Sequence, residues 1–342
     1  MKLSFHVRRL NLKHVWRISR DQATYKENVF VFIEHEGIIG MGEAAPNIRY
    51  QETTASVLDF LKRAESYLEQ ADPWQFYTLS ADMRKLDSGQ SAARAAIDMA
   101  LMDWIGKRLE LPLYRYWGLP PSPAPLTSYS IGIDEPDKIK EKVQEAQAYP
   151  ILKIKLGSSD DEAIMRMVRE TTDRPVRVDA NEAWHSPEAA LEKIHWLAGL
   201  NVEFVEQPLP AGRLQDVAWL RRRSPLPLVA DEDVKTAADI PALASVYDGI
   251  NIKLMKSGGL QEALRMIHVA RACGLKVMLG CMIESSLAIT AASHLSPLAD
   301  WLDLDGNLLL TNDPYSGSTV AGGKMVLPQG PGIGAVPHSG VF

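Results

Sequence analysis

Short apolar, β-branched runs recur about every 25 residues along the second part of the chain, at 127–132, 151–156, 176–179, 202–206, 228–231, 250–254, 276–280 and 301–305. The stretches between them are amphipathic with helical spacing. Eight strands alternating with helices predict right-handed βαβ units and a parallel sheet, which at this count closes into a barrel. A doubly wound open sheet is the competing arrangement. Before residue 122 the pattern differs: alternating strand candidates near 2–12 and 28–44 precede helical periodicity near 52–70 and 89–108, which reads as an α+β unit. Gly118, Pro120, Pro121, Pro123 and Pro125 discourage any continuing element. The boundary is therefore placed there, with 1–122 as the α+β unit and 123–312 as the barrel. From about Asp313 the chain is rich in Gly and Pro, and 313–342 is expected to be a tail packed back on the first unit. Its Gly330, Gly332 and Gly334 do not follow a strand and open a helix, so no dinucleotide site is expected.

Composition narrows the partners. The 342 residues exceed one ordinary domain but fit a barrel plus a smaller companion, and 46% hydrophobic residues provide for a buried core. A net charge of −6 provides no basic footprint for nucleic acid or an anionic membrane. Small molecules are left as the expected partners, with a homo-oligomer open. Cys273 and Cys281 are the only cysteines and fit no disulfide or zinc spacing, and neither a signal peptide nor a spanning segment is read. A cytoplasmic location is expected.

A barrel's chemistry collects where its strands end, so the last residues of each run carry the functional signal. In Ile151–Leu156 alternation puts Lys153 and Lys155 on one face. An edge strand guarded by lysine is the bland explanation. The next three runs end in Asp179, Glu206 and Asp231. Three carboxylates converging in a lumen repel one another and call for a cation, and hard oxygen donors without Cys or His favour Mg²⁺. Singly, each acid could cap a helix or meet solvent. The sixth run adds Lys253, on the strand opposite Lys153 and Lys155 in a closed barrel. A metal flanked by two lysines suits removal of a proton α to a carboxylate, with the developing enolate oxygens stabilised and a lysine on either face. A basic lysine must be neutral, and the ion, the other lysines and burial are expected to lower its pKa. The eighth run places Asp303 and Asp305 on one face, open to a substrate ammonium, a second metal or plain solvation.

KIK, VDAN, VEQP, ADED, NIKLMKSGG and MIES, in this order, resemble the enolase superfamily and its muconate lactonizing enzyme subgroup across essentially the whole chain. The resemblance implies a modified (β/α)7β TIM-like barrel with an α+β capping domain completed by the C-terminal segment. The LDLDG acids are similar to the paired-aspartate signature of the dipeptide epimerases within that subgroup. Asp179, Glu206 and Asp231 are then the implied ligands of one Mg²⁺ per subunit, and Lys155 and Lys253 the implied bases for the (R) and (S) configurations. Lys153 would hold the substrate carboxylate, Asp303 and Asp305 the dipeptide's amino terminus, and Ser130 would touch substrate. Arg20 is similar to an arginine that pairs with a glutamate side chain, and Glu284 would support Lys253 from behind. The implied activity is epimerization of a dipeptide's C-terminal α-carbon, L-Ala-D/L-Glu foremost, in the turnover of peptidoglycan peptides. N-acylamino acid racemization and o-succinylbenzoate synthesis are the rivals inside the subgroup. A non-catalytic barrel binding protein and a Schiff-base aldolase are the rivals outside it.

Overall fold

The computed structural model describes residues 1–121 and 124–340. The boundary expected between 122 and 123, with Pro123, lies outside the described residues, as do the last two residues of the tail. An antiparallel sheet opens the chain: β1 (Lys2–Ile18), β2 (Asp21–His35) and β3 (Ile38–Ala44), paired in that order. The apolar stretch read as one strand at 28–44 is two strands, because Glu36 and Gly37 adopt φ of +50° and +75° and reverse the chain. The first strand also runs past residue 12, through an irregularity between Asn11 and Trp16, to a hairpin end at Ile18–Asp21.

Three helices follow, α1 (Thr54–Glu69), α2 (Phe76–Leu86) and α3 (Ser91–Arg108), of which α2 was not anticipated. In α3 every residue from Ser91 to Gly106 is buried, because the helix lies between the cap sheet and the barrel. Its small residues allow backbone contact: a Cβ on Gly40 or Gly42 of β3 would come within 1.9 Å of the Ala100 or Ala96 carbonyl.

The barrel strands are β4 (Tyr129–Ile131), β5 (Leu152–Lys155), β6 (Val176–Asp179), β7 (Val202–Glu206), β8 (Leu228–Ala230), β9 (Gly249–Lys253), β10 (Lys276–Gly280) and β11 (Trp301–Asp303). They pair consecutively, and the sheet closes where Ser128 N donates to Leu302 O at 3.0 Å. Closure overrules the open-sheet alternative. A one-turn α4 (Leu113–Tyr116) precedes β4. Between the strands run α5 (Pro136–Glu145), α6 (Asp161–Thr171), α7 (Pro187–Ala198), α8 (Leu214–Arg221), α9 (Ile240–Leu243), α10 (Leu254–Ser257), α11 (Leu260–Ala272) and α12 (Ser286–Ser293).

Three buried carboxylates of the cap domain fasten it to the rest. Asp98 accepts from Leu260 N at 2.5 Å at the start of α11, Glu43 accepts from Ser285 N at 2.9 Å at the start of α12, and Asp103 accepts from Ile333 N at 2.7 Å. Each supplies acceptors that helix or tail amides lack. Burial raises the pKa of all three, that of Asp98 to about 6. The tail touches both units: Ile333 meets the cap, and Gly323 O accepts from Thr127 N at 2.8 Å beside the barrel.

His294, at the end of α12, is fully buried between Tyr114 N (3.2 Å) and Ile333 O (2.8 Å). Burial lowers its pKa from 6.5 to about 4. The folded state thus resists a proton that the unfolded chain accepts, so stability is intact above pH 6.5 and lost as pH falls toward 4. At about 1.4 kcal/mol per unit the loss is about 3 kcal/mol. Urea unfolding of wild type and His294→Gln between pH 7 and 4.5 is expected to show this slope in wild type and its attenuation in the variant.

Candidate active site

Strand register assembles the site in two rows. Lys155 of β5, Asp179 of β6 and Glu206 of β7 are direct neighbours in one row. Lys253 of β9, Gly280 of β10 and Asp303 of β11 form the other. All these side chains except that of glycine end at the C-terminal rim, where a parallel barrel gathers its chemistry. Gly280 has no side chain because a Cβ there would lie 2.5 Å from Asn251 Oδ1. Lys155 and Lys253 come from the second and sixth of eight strands and so face each other across the lumen.

Asp179, Glu206 and Asp231 are buried, and each offers an oxygen within 4.8 Å of the others. Lysines balance them. Lys153 Nζ lies 2.7 Å from Glu206 Oε2, 3.4 Å from Asp179 Oδ2 and 2.6 Å from Asp303 Oδ2. Lys155 Nζ is 2.5 Å from Asp179 Oδ2, and Lys253 Nζ is 2.8 Å from Asp231 Oδ2. Burial raises Asp179 and the lysines nearby more than offset it, holding the carboxyl at about 2. Asp231 is likewise pulled well below the ordinary range by Lys253 and Lys256 against the cost of burial. Glu206 goes the other way, raised by burial and by the charge on Asp179.

Burial works to lower the Lys253 amine, yet Asp231 and Glu206 outweigh it and raise its pKa. Asp231, 2.8 Å away, is the nearest of the charges that hold the proton on Lys253. The donor set nonetheless suits a hard cation. It is all oxygen, and the buried Glu232 Oε2, Asn181 Oδ1 and Asn251 Oδ1 accept no hydrogen bond. Carboxylates plus acceptors lacking donors are what Mg²⁺ and its waters satisfy.

The expected aspartate pair sits next to this cluster. Asp303 Oδ1 accepts from Ser128 Oγ at 2.8 Å and Ser130 Oγ at 3.2 Å, while Asp305 Oδ2 accepts from Ser130 N at 2.5 Å. The structure thus ties Ser130 to both acids. Burial raises Asp303 but Lys153 lowers it further, whereas burial and the charge on Asp303 push Asp305 up to about 7.

A pocket joins these groups to the cap, lined by Trp16, Arg20, Tyr50, Ser130, Lys155, Lys253, Cys281, Asp303 and Asp305 among others. The Arg20 guanidinium is paired with Glu232 at 2.5 Å and Glu182 at 3.3 Å. Glu284 is buried and accepts from Met282 N at 2.7 Å, with no hydrogen bond to Lys253 among the described residues. Burial raises its carboxyl to about 8, partly offset by the Lys253 charge.

Sequence reasoning missed three residues here. Lys256 Nζ lies 2.5 Å from Asp231 Oδ1 and also donates to the carbonyls of Asp231, Val234 and Asn251. Asn251 Nδ2 donates to Glu206 Oε1 at 2.7 Å. Its placement two residues before Lys253 on the same strand face was a legible signal. Glu232 follows Asp231 directly in the quoted ADED, but nothing in the spacing distinguishes it from a solvated acid.

Comparison with known proteins agrees with this architecture. Residues 5–118 match the mandelate racemase / muconate lactonizing enzyme N-terminal domain, and residues 138–340 match the enolase C-terminal domain-like family. An L-Ala-D/L-Glu epimerase of Bacteroides thetaiotaomicron is 44% identical over 98% of this chain and 88% of its own length. An L-Ala-D/L-amino acid epimerase of Pedosphaera parvula is 43% identical over 97% of both. The dipeptide epimerase of Cytophaga hutchinsonii, solved with Mg and D-Ala-L-Val, superposes with a TM-score of 0.94 at 28% identity, covering 99% of this chain and 96% of that one. With both domains matched and such identity along nearly its full length, the chain belongs to the mandelate racemase / muconate lactonizing enzyme family of the enolase superfamily.

Proposed function

We propose that the protein is a Mg²⁺-dependent dipeptide epimerase that inverts the α-carbon of the C-terminal residue, with L-Ala-D/L-Glu as substrate, working in the cytoplasm. The observation that carries this reading is the pair of opposed lysines, Lys155 and Lys253, with three carboxylates between them and an acidic pair beside them. No helix among the described residues is long and apolar enough to cross a membrane.

Asp179, Glu206 and Asp231 would hold the ion. When bound, Mg²⁺ supplies a Lewis acid that polarises the substrate carboxylate and acidifies the α-hydrogen. Lys153, cationic among three acids, holds the same carboxylate. One of Lys155 and Lys253, as the neutral amine, takes the α-proton from its face, and the other, as the ammonium, returns a proton from the opposite face. The product has the inverted configuration and the two lysines have exchanged protonation states. Lys253 is freed for this work because Lys256 keeps hold of the other oxygen of Asp231.

Asp303 and Asp305 grip the ammonium of the amino-terminal residue. Because Asp305 in the free enzyme is raised to about 7, it is protonated below that pH and must lose its proton to accept the ammonium. Below pH 7 the kcat/KM for dipeptide is therefore expected to fall about tenfold per unit more steeply in wild type than in Asp305→Asn, which keeps only the dependence set by the catalytic lysine. The pH profiles of the two enzymes check this.

The direct test is incubation with L-Ala-L-Glu in D₂O. Deuterium is expected at the α-carbon of glutamate, with D-glutamate in the product, loss of both on EDTA treatment and recovery on adding Mg²⁺. Exchange confined to N-acylamino acids would reassign the chain to racemization of those substrates. No exchange with any dipeptide would remove the proposal.

A further inference from the structure

We propose that Arg20 is a positioning residue of the metal centre, not the reader of an acidic substrate side chain; this rests on the function proposed above. Arg20 occupies the turn joining β1 and β2, and its guanidinium is already committed. NH2 lies 2.5 Å from Glu232 Oε1, and NH1 lies 2.8 Å from Asn181 O and 3.3 Å from Glu182 Oε2. Glu182 is gripped in turn by Arg49, whose Nε and NH2 each lie 2.7 Å from one of its oxygens. Arg49–Glu182–Arg20–Glu232 is thus an alternating chain of two cations and two anions running from the cap onto the barrel rim. An incoming substrate carboxylate therefore meets two carboxyl groups along with the arginine.

What the chain of charges holds lies next to the metal ligands. Glu232 follows Asp231 directly. Asn181 donates its N–H to Asp179 Oδ1 at 2.9 Å. Asn181 and Glu182 both adopt left-handed φ, +44° and +68°, a conformation uncommon for a glutamate. Arg20 and Arg49 hold these two residues. Glu232 Oε2 and Asn181 Oδ1 are buried, line the same pocket as Asp231 and accept no hydrogen bond. Mg²⁺ keeps part of its water shell, and such water needs acceptors around it. The two free oxygens are those acceptors, and Arg20 is the strut that keeps them in place.

The two roles separate in three variants, Arg20→Met, Arg20→Lys and Glu232→Gln. Magnesium affinity is read by titration calorimetry without substrate, and kcat/KM with L-Ala-L-Glu and its neutral isostere L-Ala-L-Gln. Removing a cation by itself strengthens binding of another cation, so a weakening isolates the positioning role. Arg20→Met is expected to weaken Mg²⁺ binding about 10- to 100-fold and to lower kcat/KM equally for both dipeptides at limiting Mg²⁺. Arg20→Lys is expected to recover part of each loss, and Glu232→Gln to weaken Mg²⁺ binding as well. Unchanged Mg²⁺ affinity in Arg20→Met and Glu232→Gln, or a loss confined to L-Ala-L-Glu, overturns the proposal. If Arg20→Met does not fold, Arg20→Gln, which removes the same charge, carries the same comparison. Should the wild type exchange neither dipeptide in D₂O, the proposed function fails, while the Mg²⁺ titrations still report on the strut.

Discussion

Lys155→Ala is expected to abolish epimerization, by about 10⁴-fold or more, while leaving half of the exchange chemistry in place. Only Lys253 then remains to remove a proton, and it reaches one face of the α-carbon. The variant should exchange the α-hydrogen of the (S) isomer with D₂O and leave the (R) isomer untouched. The converse holds for Lys253→Ala. Geometry makes the effect this asymmetric: the two amines project from strands on opposite sides of the barrel, so neither can stand in for the other. Lys256 still pairs with Asp231 when Lys253 is removed. Exchange of both isomers by Lys155→Ala, followed by mass spectrometry and chiral separation, contradicts the two-base assignment.

Asp305→Ala is expected to lower kcat/KM for a free dipeptide by about 10²- to 10³-fold, the cost of leaving a buried ammonium without one of its carboxylates. An N-acylated substrate has no such charge and should lose little. Asp303→Ala has a second consequence. Asp303 is also the nearest partner of Lys153, at 2.6 Å, so its removal unbalances the lysine that holds the substrate carboxylate. Turnover of the N-acylated substrate should therefore separate the two variants, near wild type in Asp305→Ala and reduced in Asp303→Ala. Equal losses with free and acylated substrates in Asp305→Ala would remove the ammonium role from that residue.

Much of this site was legible before any coordinates. The runs ending in Asp179, Glu206 and Asp231 name the carboxylates because strand ends in a parallel barrel share one rim. Alternation in KIK identifies which residues share a face, since side chains on a strand change sides with every residue; Asp305 lies past the end of β11 and meets Asp303 through Ser130. The eight apolar runs each became a barrel strand within a residue or two of their expected limits. The cap was less legible. Its second strand candidate hid a turn at Glu36–Gly37, and α2, with Phe76, Leu79, Met83 and Leu86 at helical spacing, is only about three turns long.

Periodicity and strand-end chemistry follow from local rules, and so the chain alone determined the barrel, the carboxylate triad, the flanking lysines and the aspartate pair. Partnership is a different matter. That Lys256 clasps Asp231, that Asp98 and Glu43 of the cap reach the starts of barrel helices, and that Arg20 is spoken for by Glu232 all depend on contacts across wide sequence separations. The raised pKa of Lys253 has the same origin, since Asp231 and Glu206 reach it from other strands. A side chain's type fixes what it is able to bind, but only closure of the barrel and docking of the cap bring one particular charge within about 3 Å of another, and electrostatic energy depends on that distance.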